Sequence, residues 1–307
     1  MHRNNRHTHR GAALITAMLV LAIVAAIAAS IMLQQQIGIS RSELVFNANQ
    51  AYYYTDMVNA WAENHYANLN KSKNSPAPKW PAIMPRQKLK YYNGNVQGIL
   101  TSAQGRFNVN NLNDKTYIPL FANLIRQVNQ NIDTDASLAI ANQIAIWLNP
   151  ANKNQKNKRN QQQNNKKMIR LLISPSELLV LPLVKPALYR QLAPYLIALP
   201  QETTLNPNTA SKPLLMAYGL SSNAAGNVIG QRENSGGFST MKAFQQVAKY
   251  KAAKGQQAVT LFALKSDYFL VQANIKLDKI TLTNYAIMAP NKDKTALKIL
   301  QQTQNTL

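Results

Sequence analysis

The chain has 307 residues, no cysteine and four histidines, with 34 basic against 12 acidic residues and a formal net charge of +22. The missing thiols exclude disulfides, cysteine nucleophiles and thiolate metal sites. His2, His7 and His9 all precede Gly11, so histidine-based catalysis or metal binding has only His65 to draw on.

No Walker-type loop, nucleophile elbow or zinc spacing occurs, and the chain reads as a non-enzyme. Without Arg3, Arg6 and Arg10, which lie before Gly11, the net charge is still +19 (22 less 3). Such a charge suits a polyanionic neighbour, whether nucleic acid, anionic lipid or an acidic protein surface; solubility alone is the competing reading.

In chain order, the polar leader MHRNNRHTHRG comes first, and Ala12–Leu33 then run 22 residues without a charge. As a helix this run rises about 33 Å, enough to cross a bilayer. Signal-peptide cores are shorter, roughly 7–15 residues. The arginines before it keep that end in the cytoplasm, which puts everything after Leu33 on the other side. The helix continues through QQQIGISRSELVFNANQAYYYTDMVNAWAENHYANL, where Leu44, Ala48, Ala51, Thr55, Val58 and Ala62 share one face. Pro76 and Pro78 mark the break. The predicted helix therefore spans residues 12–67, and its outer half needs a packing surface. His65 reads as a surface or packing residue of that helix.

A basic leader, a glycine, a small residue and an anchor that continues as an amphipathic helix resemble the N-terminus of type IV pilins and pseudopilins. The resemblance implies a prepilin peptidase cut between Gly11 and Ala12, methylation of the new Ala12 amine, and retention of the anchor. The fifth position after the cut holds Thr16, where the family has a glutamate that pairs with a neighbouring subunit's N-terminal amine. A carboxylate in a bilayer needs such a partner, and Thr16 cannot form that ion pair. Among pseudopilins, the protein K family of type II secretion systems typically lacks the glutamate and is assigned to the filament tip. A degraded pilin signal and an ordinary membrane anchor are the other readings of Thr16.

Further stretches resemble the protein K family. QAYYYTDMVNAWA resembles its first helix. GRFNVNNL, residues 105–112, resembles its GRFNLNNL strand; Phe107 and Val109 alternating with Asn108 and Asn110 predict a half-buried strand. IAIWLNP, residues 144–150, resembles a tryptophan-centred helix end, with Asn149 and a proline where the family continues in acidic residues. NKNQKNKRNQQQNNKK, residues 152–167, has six basic residues and nothing apolar. It predicts a solvated loop or disordered insertion, with a nucleic-acid patch as the alternative. Ser174-Pro175-Ser176-Glu177 is a helix start, and Pro186 opens a second short helix to Leu196. Leu183 replaces the glycine of the family's turn between them, leaving that turn's form open.

Residues 205–247 resemble both the family's INVNTA segment and the helix-hairpin-helix module of periplasmic DNA receptors. That module reads close to Gly-Ile-Gly at its hairpin, where backbone amides bind phosphate. Leu220-Ser221-Ser222 stand there in this chain, which favours a packing role over DNA contact. In the last part, Phe269, Val271, Ala273 and Ile275 face one way and Tyr268, Leu270, Gln272 and Asn274 the other. Asp278-Lys279 fits a hairpin turn, Ile280–Met288 the return strand, and the residues after Pro290 a loose polar tail.

The expected fold is α+β: a long N-terminal transmembrane and amphipathic helix, a pilin-like domain with an antiparallel sheet, and a large inserted all-α domain of helix-hairpin-helix or SAM-like type. The division is 1–11 leader, 12–67 helix (12–33 transmembrane), 68–113 with 248–290 pilin-like domain, 114–247 insertion and 291–307 tail. The resemblance implies a minor pseudopilin at the tip of the type II secretion pseudopilus, single-pass in the inner membrane with its body in the periplasm. It would help initiate assembly and export folded proteins across the outer membrane. Implied partners are the minor pseudopilins I and J, the major pseudopilin, the prepilin peptidase and the inner-membrane secretion platform. Family members can bind calcium in the pilin-like domain, so the resemblance implies calcium as a possible cofactor and no other, but Asp267, Asp278 and Asp293 are not ligand-spaced and read as turn and surface residues. The rival function is a membrane-tethered periplasmic DNA-binding protein of natural competence, supported by the basic charge and the hairpin resemblance; nucleic acid is the disfavoured partner.

Overall fold

A run of good helix formers without a proline carries the chain through one helix, α1, Thr8–Lys71. At 1.5 Å per residue it is about 96 Å long. The computed structural model describes residues 8–71, 80–89, 93–149, 170–249 and 261–304; the basic run 152–167 lies outside them. The first buried side chain of α1 is Asn47, followed by Ala51, Thr55, Val58 and Ala62. The predicted packing face is therefore present, except that Leu44 at its start is exposed. His65 is half-buried and stacks on Trp61, with ring centroids 5.6 Å apart.

The surface under α1 is an antiparallel sheet. Its strands are β1 (Ala82–Ile83), β2 (Gln87–Lys88), β3 (Gly94–Ser102), β6 (Phe269–Leu277), β7 (Ile280–Pro290) and β8 (Leu297–Gln304). Two short strands, β4 (Phe107–Asn108) and β5 (Leu196–Ile197), pair in parallel elsewhere. The sheet order is β1-β3-β6-β7-β8, with β2 also on β3. Phe269, Val271, Ala273, Ile275 and Leu277 pack on the α1 side with Val96, Leu100, Leu282, Ala286 and Met288. Tyr268 and Leu270 point to the other face and pack with Ala103, Ile197, Leu199 and Ile287. The predicted alternation of β6 is thus observed, since a strand buried on both faces keeps its period of two.

Leu277 pairs with Ile280 across the two-residue turn Asp278-Lys279. Asp278 takes φ +47°, a left-handed position that aspartate tolerates better than most residues. Its Oδ1 accepts from the Asn93 backbone N–H at 3.1 Å, tying the turn to the start of β3. The tail contradicts its reading as a loose segment. Residues 297–304 form the edge strand β8 on β7, with Leu297 buried. Backbone pairing holds a strand whose last four side chains are glutamine and threonine.

Between Ser102 and Phe269, which are register partners on adjacent strands, the chain leaves the sheet and builds a helical body. Its helices are α2 (Tyr117–Val128), α3 (Thr134–Leu148), α4 (Pro186–Leu192), α5 (Lys212–Ala217), α6 (Ser222–Ser235) and α7 (Met241–Ala248). Their apolar faces close on Phe107, Phe121, Leu124, Tyr218, Phe244 and Phe262, a core separate from that beneath α1. Along α1, Val58 and Trp61 lie against Gly98, whereas Tyr66, further on, packs edge-on against Phe269 at 5.0 Å. The helix therefore climbs toward the Ser102–Phe269 end of the sheet. The helical body stands at the end far from the anchor, and the Asp278-Lys279 turn lies at the near end.

Candidate assembly interface

Among the described residues nothing packs on the anchor. Leu14, Ile15, Met18, Leu19, Val20, Leu21, and the apolar residues on to Leu33, are exposed on every side of α1. A helix apolar all round needs lipid or other helices as its solvent. Thr16 lies on this stretch, and its Oγ1 donates to the Ala13 carbonyl at 3.0 Å. The hydroxyl is satisfied within its own helix, which is how a threonine is accommodated in hydrocarbon. Gly11 and Ala12 sit within the helix rather than at its start, which is Thr8.

GRFNVNNL does not form the half-buried strand its alternation predicts. Only Phe107 and Asn108 pair as a strand, and residues 109–113 turn into a 3-10 helix. Asn108, Asn110 and Asn111 are all buried. Each uses its side-chain amide as a substitute for a strand's backbone. Asn111 donates to the Thr203 carbonyl at 2.6 Å and accepts from the Thr203 N–H at 3.0 Å. Asn110 does the same with Leu172, at 3.0 and 2.8 Å. Asn108 accepts from Leu199 N–H and donates to the Gln201 carbonyl. The pattern recurs in the NPN sequence: Asn208 donates to the Phe238 carbonyl at 3.0 Å and accepts from its N–H at 2.7 Å. Asn206 donates to the Leu264 carbonyl and Ser266 Oγ. Gln104 donates to the Thr204 carbonyl. These clamps join the start of the helical body to its later segments and to the irregular segment leading into β6. Hydropathy periodicity missed them because it assigns asparagine to solvent; the sequence signal is the crowding of asparagines between large apolar residues.

Tyr117 and Tyr218 sit inside this body. Burial pushes the Tyr117 hydroxyl well above its ordinary range, helped by the charge and hydrogen bond of Glu202 and by Asp114. Tyr218 moves the same way, through burial and then Tyr117. Ser174 and Glu177 form the predicted helix start, a capping box over a 3-10 turn from Pro175 to Val180. The following turn closes through Val184 N–H on the Leu181 carbonyl. Leu183 needs no left-handed backbone there, so the family's glycine is dispensable.

The helix-hairpin-helix segment is present as α5, a turn at Gly219 with φ +99°, and α6. Its hairpin chemistry is turned inward. Leu220 is buried and its N–H donates to the Leu215 carbonyl. Ser221 Oγ caps α6 by accepting from Ala224 N–H at 3.2 Å. Arg232 also donates to the Pro207 and Ala210 carbonyls at 3.0 and 2.6 Å, which holds α6 on the asparagine-rich loop.

The aspartates considered for calcium are not brought together. Asp267 precedes β6, Asp293 lies in the β7–β8 turn, and Asp278 is at the other end of β6, about 30 Å of strand away. Among the described residues no three His, Cys, Asp or Glu side chains gather where a cation would need them. These residues do not fit a calcium site.

The family profile described as type II secretion system protein K matches residues 105–201, which hold Asn108, Asn110 and Asn111. A helix-hairpin-helix profile matches residues 200–262. Type II secretion system protein K of Pseudomonas aeruginosa is 25% identical over 293 residues, covering 89% of this chain and 86% of that protein. The protein of the same name from Pectobacterium carotovorum subsp. carotovorum is 25% identical over 301 residues, covering 89% and 90%. A chain in the crystal structure of the GspK-GspI-GspJ complex from enterotoxigenic Escherichia coli superposes with a TM-score of 0.65 at 18% identity. The match covers 87% of this chain and all of that one, and shows a shared fold.

Proposed function

Because the chain belongs to the type II secretion system protein K family, we propose that its role as a minor pseudopilin is to cap the pseudopilus tip and help start its assembly. It is a membrane-anchored periplasmic protein, and the inner membrane is the membrane this reading assigns. The observation that carries the tip position is where the helical body stands. It leaves the sheet between Ser102 and Phe269, at the end of the sheet remote from the anchor. A subunit with that bulk ahead of it leaves no room for another in front, whereas its lipid-like helix remains free to pack alongside neighbours behind. Proteins corresponding to I and J, named with a GspK in the similar complex, are the partners at that tip; the major pseudopilin and secretion platform lie behind them. In this reading Thr16 is tolerated because no subunit above supplies an amine for a glutamate to meet.

The same reading cuts the chain between Gly11 and Ala12, methylates Ala12 and keeps the anchor. It takes the sheet residues up to Ser102 and from Phe269 to Gln304 as the pilin-like domain, in place of the expected 68–113 and 248–290, and residues 103–268 as the insertion, in place of 114–247, because Phe107, Val109, Leu112 and Phe262 pack in the helical core and β8 completes the sheet. Intact mass and N-terminal sequence of membrane-recovered protein, with and without a prepilin peptidase, test it. The expected product begins AALITAMLV with a methylated amine. A chain beginning near Ser30, or left whole in the presence of active peptidase, sinks the pseudopilin reading.

A further inference from the structure

The end of the sheet that faces the anchor is basic. Lys88 on β2 pairs with Asn95 on β3, and Asn95 with Lys276 on β6. Paired residues point to the same face, so the two lysines stand about 10 Å apart across one intervening strand. Lys279 occupies the adjoining turn, and all three lysines are exposed. Arg41 and Glu43 lie on α1 between this end and the anchor. Asp278 is the acidic group of the turn itself, and its carboxylate is engaged by Asn93.

The anchor fixes what lies beneath these lysines. Val58, level with Gly98, is 25 residues beyond Leu33, about 37 Å along the helix. Ala273 is the register partner of Gly98, and β6 runs four residues from there back to Leu277, about 13 Å toward the membrane. The turn thus hangs roughly 20 Å above the last apolar residue, over a headgroup layer about 5–7 Å thick. A single span tilts by about 20° on average and up to about 40°. With the sheet about 10 Å from the helix axis, a tilt of about 20° toward the sheet side lowers the turn to about 15 Å and one of about 40° to about 9 Å, where extended lysine side chains reach that layer.

We infer that this basic end, Lys88, Lys276 and Lys279, docks on anionic lipid headgroups of the leaflet from which α1 emerges, holding the unassembled subunit tilted with its helical body directed outward. The attraction is Coulombic between exposed charges, so it falls within a Debye length and weakens with salt. Extraction into a filament would break it. The inference needs only the anchor and the side on which the body lies, and stands apart from the tip assignment.

The chain has no cysteine, so a single label is unambiguous. The full chain carrying Thr281→Cys beside the turn, or Asp293→Cys at the opposite end, is donor-labelled and reconstituted in nanodiscs with an acceptor on a trace headgroup. Discs contain phosphatidylcholine alone or with phosphatidylglycerol added. Energy transfer from position 281 is expected to rise about twofold on the anionic discs, and the rise to vanish near 0.5 M salt, where the Debye length is only a few ångströms. Position 293 should move away or stay unchanged. The rise should be lost in K88Q/K276Q/K279Q and kept in the matching arginine variant, which controls for folding. Equal transfer on neutral and anionic discs overturns the inference and leaves the lysines for an acidic protein surface. A rise that survives the glutamine variant also overturns it.

Discussion

Asn208 holds Phe238 by both its N–H and its carbonyl, and a leucine of similar size would leave both of those buried groups without their partner. The cost of an unmet buried polar group is about 1–3 kcal/mol. Asn208→Leu should therefore destabilise the helical body by about 2–4 kcal/mol, since two groups are orphaned and partial relaxation recovers some of the loss. Asn111→Asp tests the same device differently: the carboxylate keeps the acceptor for Thr203 N–H but points an anion at the Thr203 carbonyl. Denaturant melts in detergent, followed by the fluorescence of Trp147 in α3 in a chain whose Trp61 and Trp80 are replaced by phenylalanine, would read both. An unchanged midpoint for Asn208→Leu would mean that water replaces the clamp and that the asparagine is incidental. This scale is where the sequence was least legible. In FNVNNL the apolar and polar residues alternate as in a half-exposed strand, and nothing in hydropathy separates an asparagine that meets water from one that meets a backbone.

Whole elements were easier to read because they depend on periodicity. The face of α1 from Ala48 to Ala62 and both faces of β6 follow from spacing alone. Spacing did not show β8, for which the glutamines of LQQTQ carry no core signal and backbone pairing supplies the stability. It also did not show how closely α1 presses on the sheet. A Cβ built at Gly98 would come 2.7 Å from Val58 Cγ1, 3.2 Å from Trp61 and 3.3 Å from Met84 Cβ. In an ordinary strand position, replacing glycine by alanine is favourable by roughly 0.5–1 kcal/mol through the unfolded chain. At Gly98 that gain should be lost. Gly98→Ala is expected to be neutral to mildly destabilising. Gly98→Val should cost about 1–3 kcal/mol, the usual range for overpacking. Limited proteolysis in α1 near Tyr53 and Met57 should then quicken, because the helix is levered off its strand. A Gly98→Val protein that melts above the parent would show that the helix is not seated as described.

At the scale of the molecule, two cores share one chain. The residues beneath α1 close without those of the helical body, and Ser102 and Phe269 are neighbours in the ladder. Residues 103–268 can therefore be exchanged for a two-residue Asn-Gly turn, the connection best suited to the twist of an antiparallel pair. The exchange uncovers Leu270 and Ile287, which are paired on adjacent strands and buried under the body, so both become threonine in the shortened chain. The expected product keeps α1 on a six-stranded sheet and unfolds cooperatively, at lower stability because a smaller unit buries less of its surface. With the body gone, nothing stands ahead of the sheet. If the bulk of the body is what ends the filament, epitope-tagged shortened subunits should appear along pseudopili as well as at their ends, and initiation should lose its dependence on this subunit's position. If they fold and still mark only the ends, the tip is specified by the helix packing of α1, with Thr16 the first residue to exchange. A shortened chain that cannot fold would show that the sheet leans on the body through the face carrying Leu270 and Ile287, and that the two cores are cooperative.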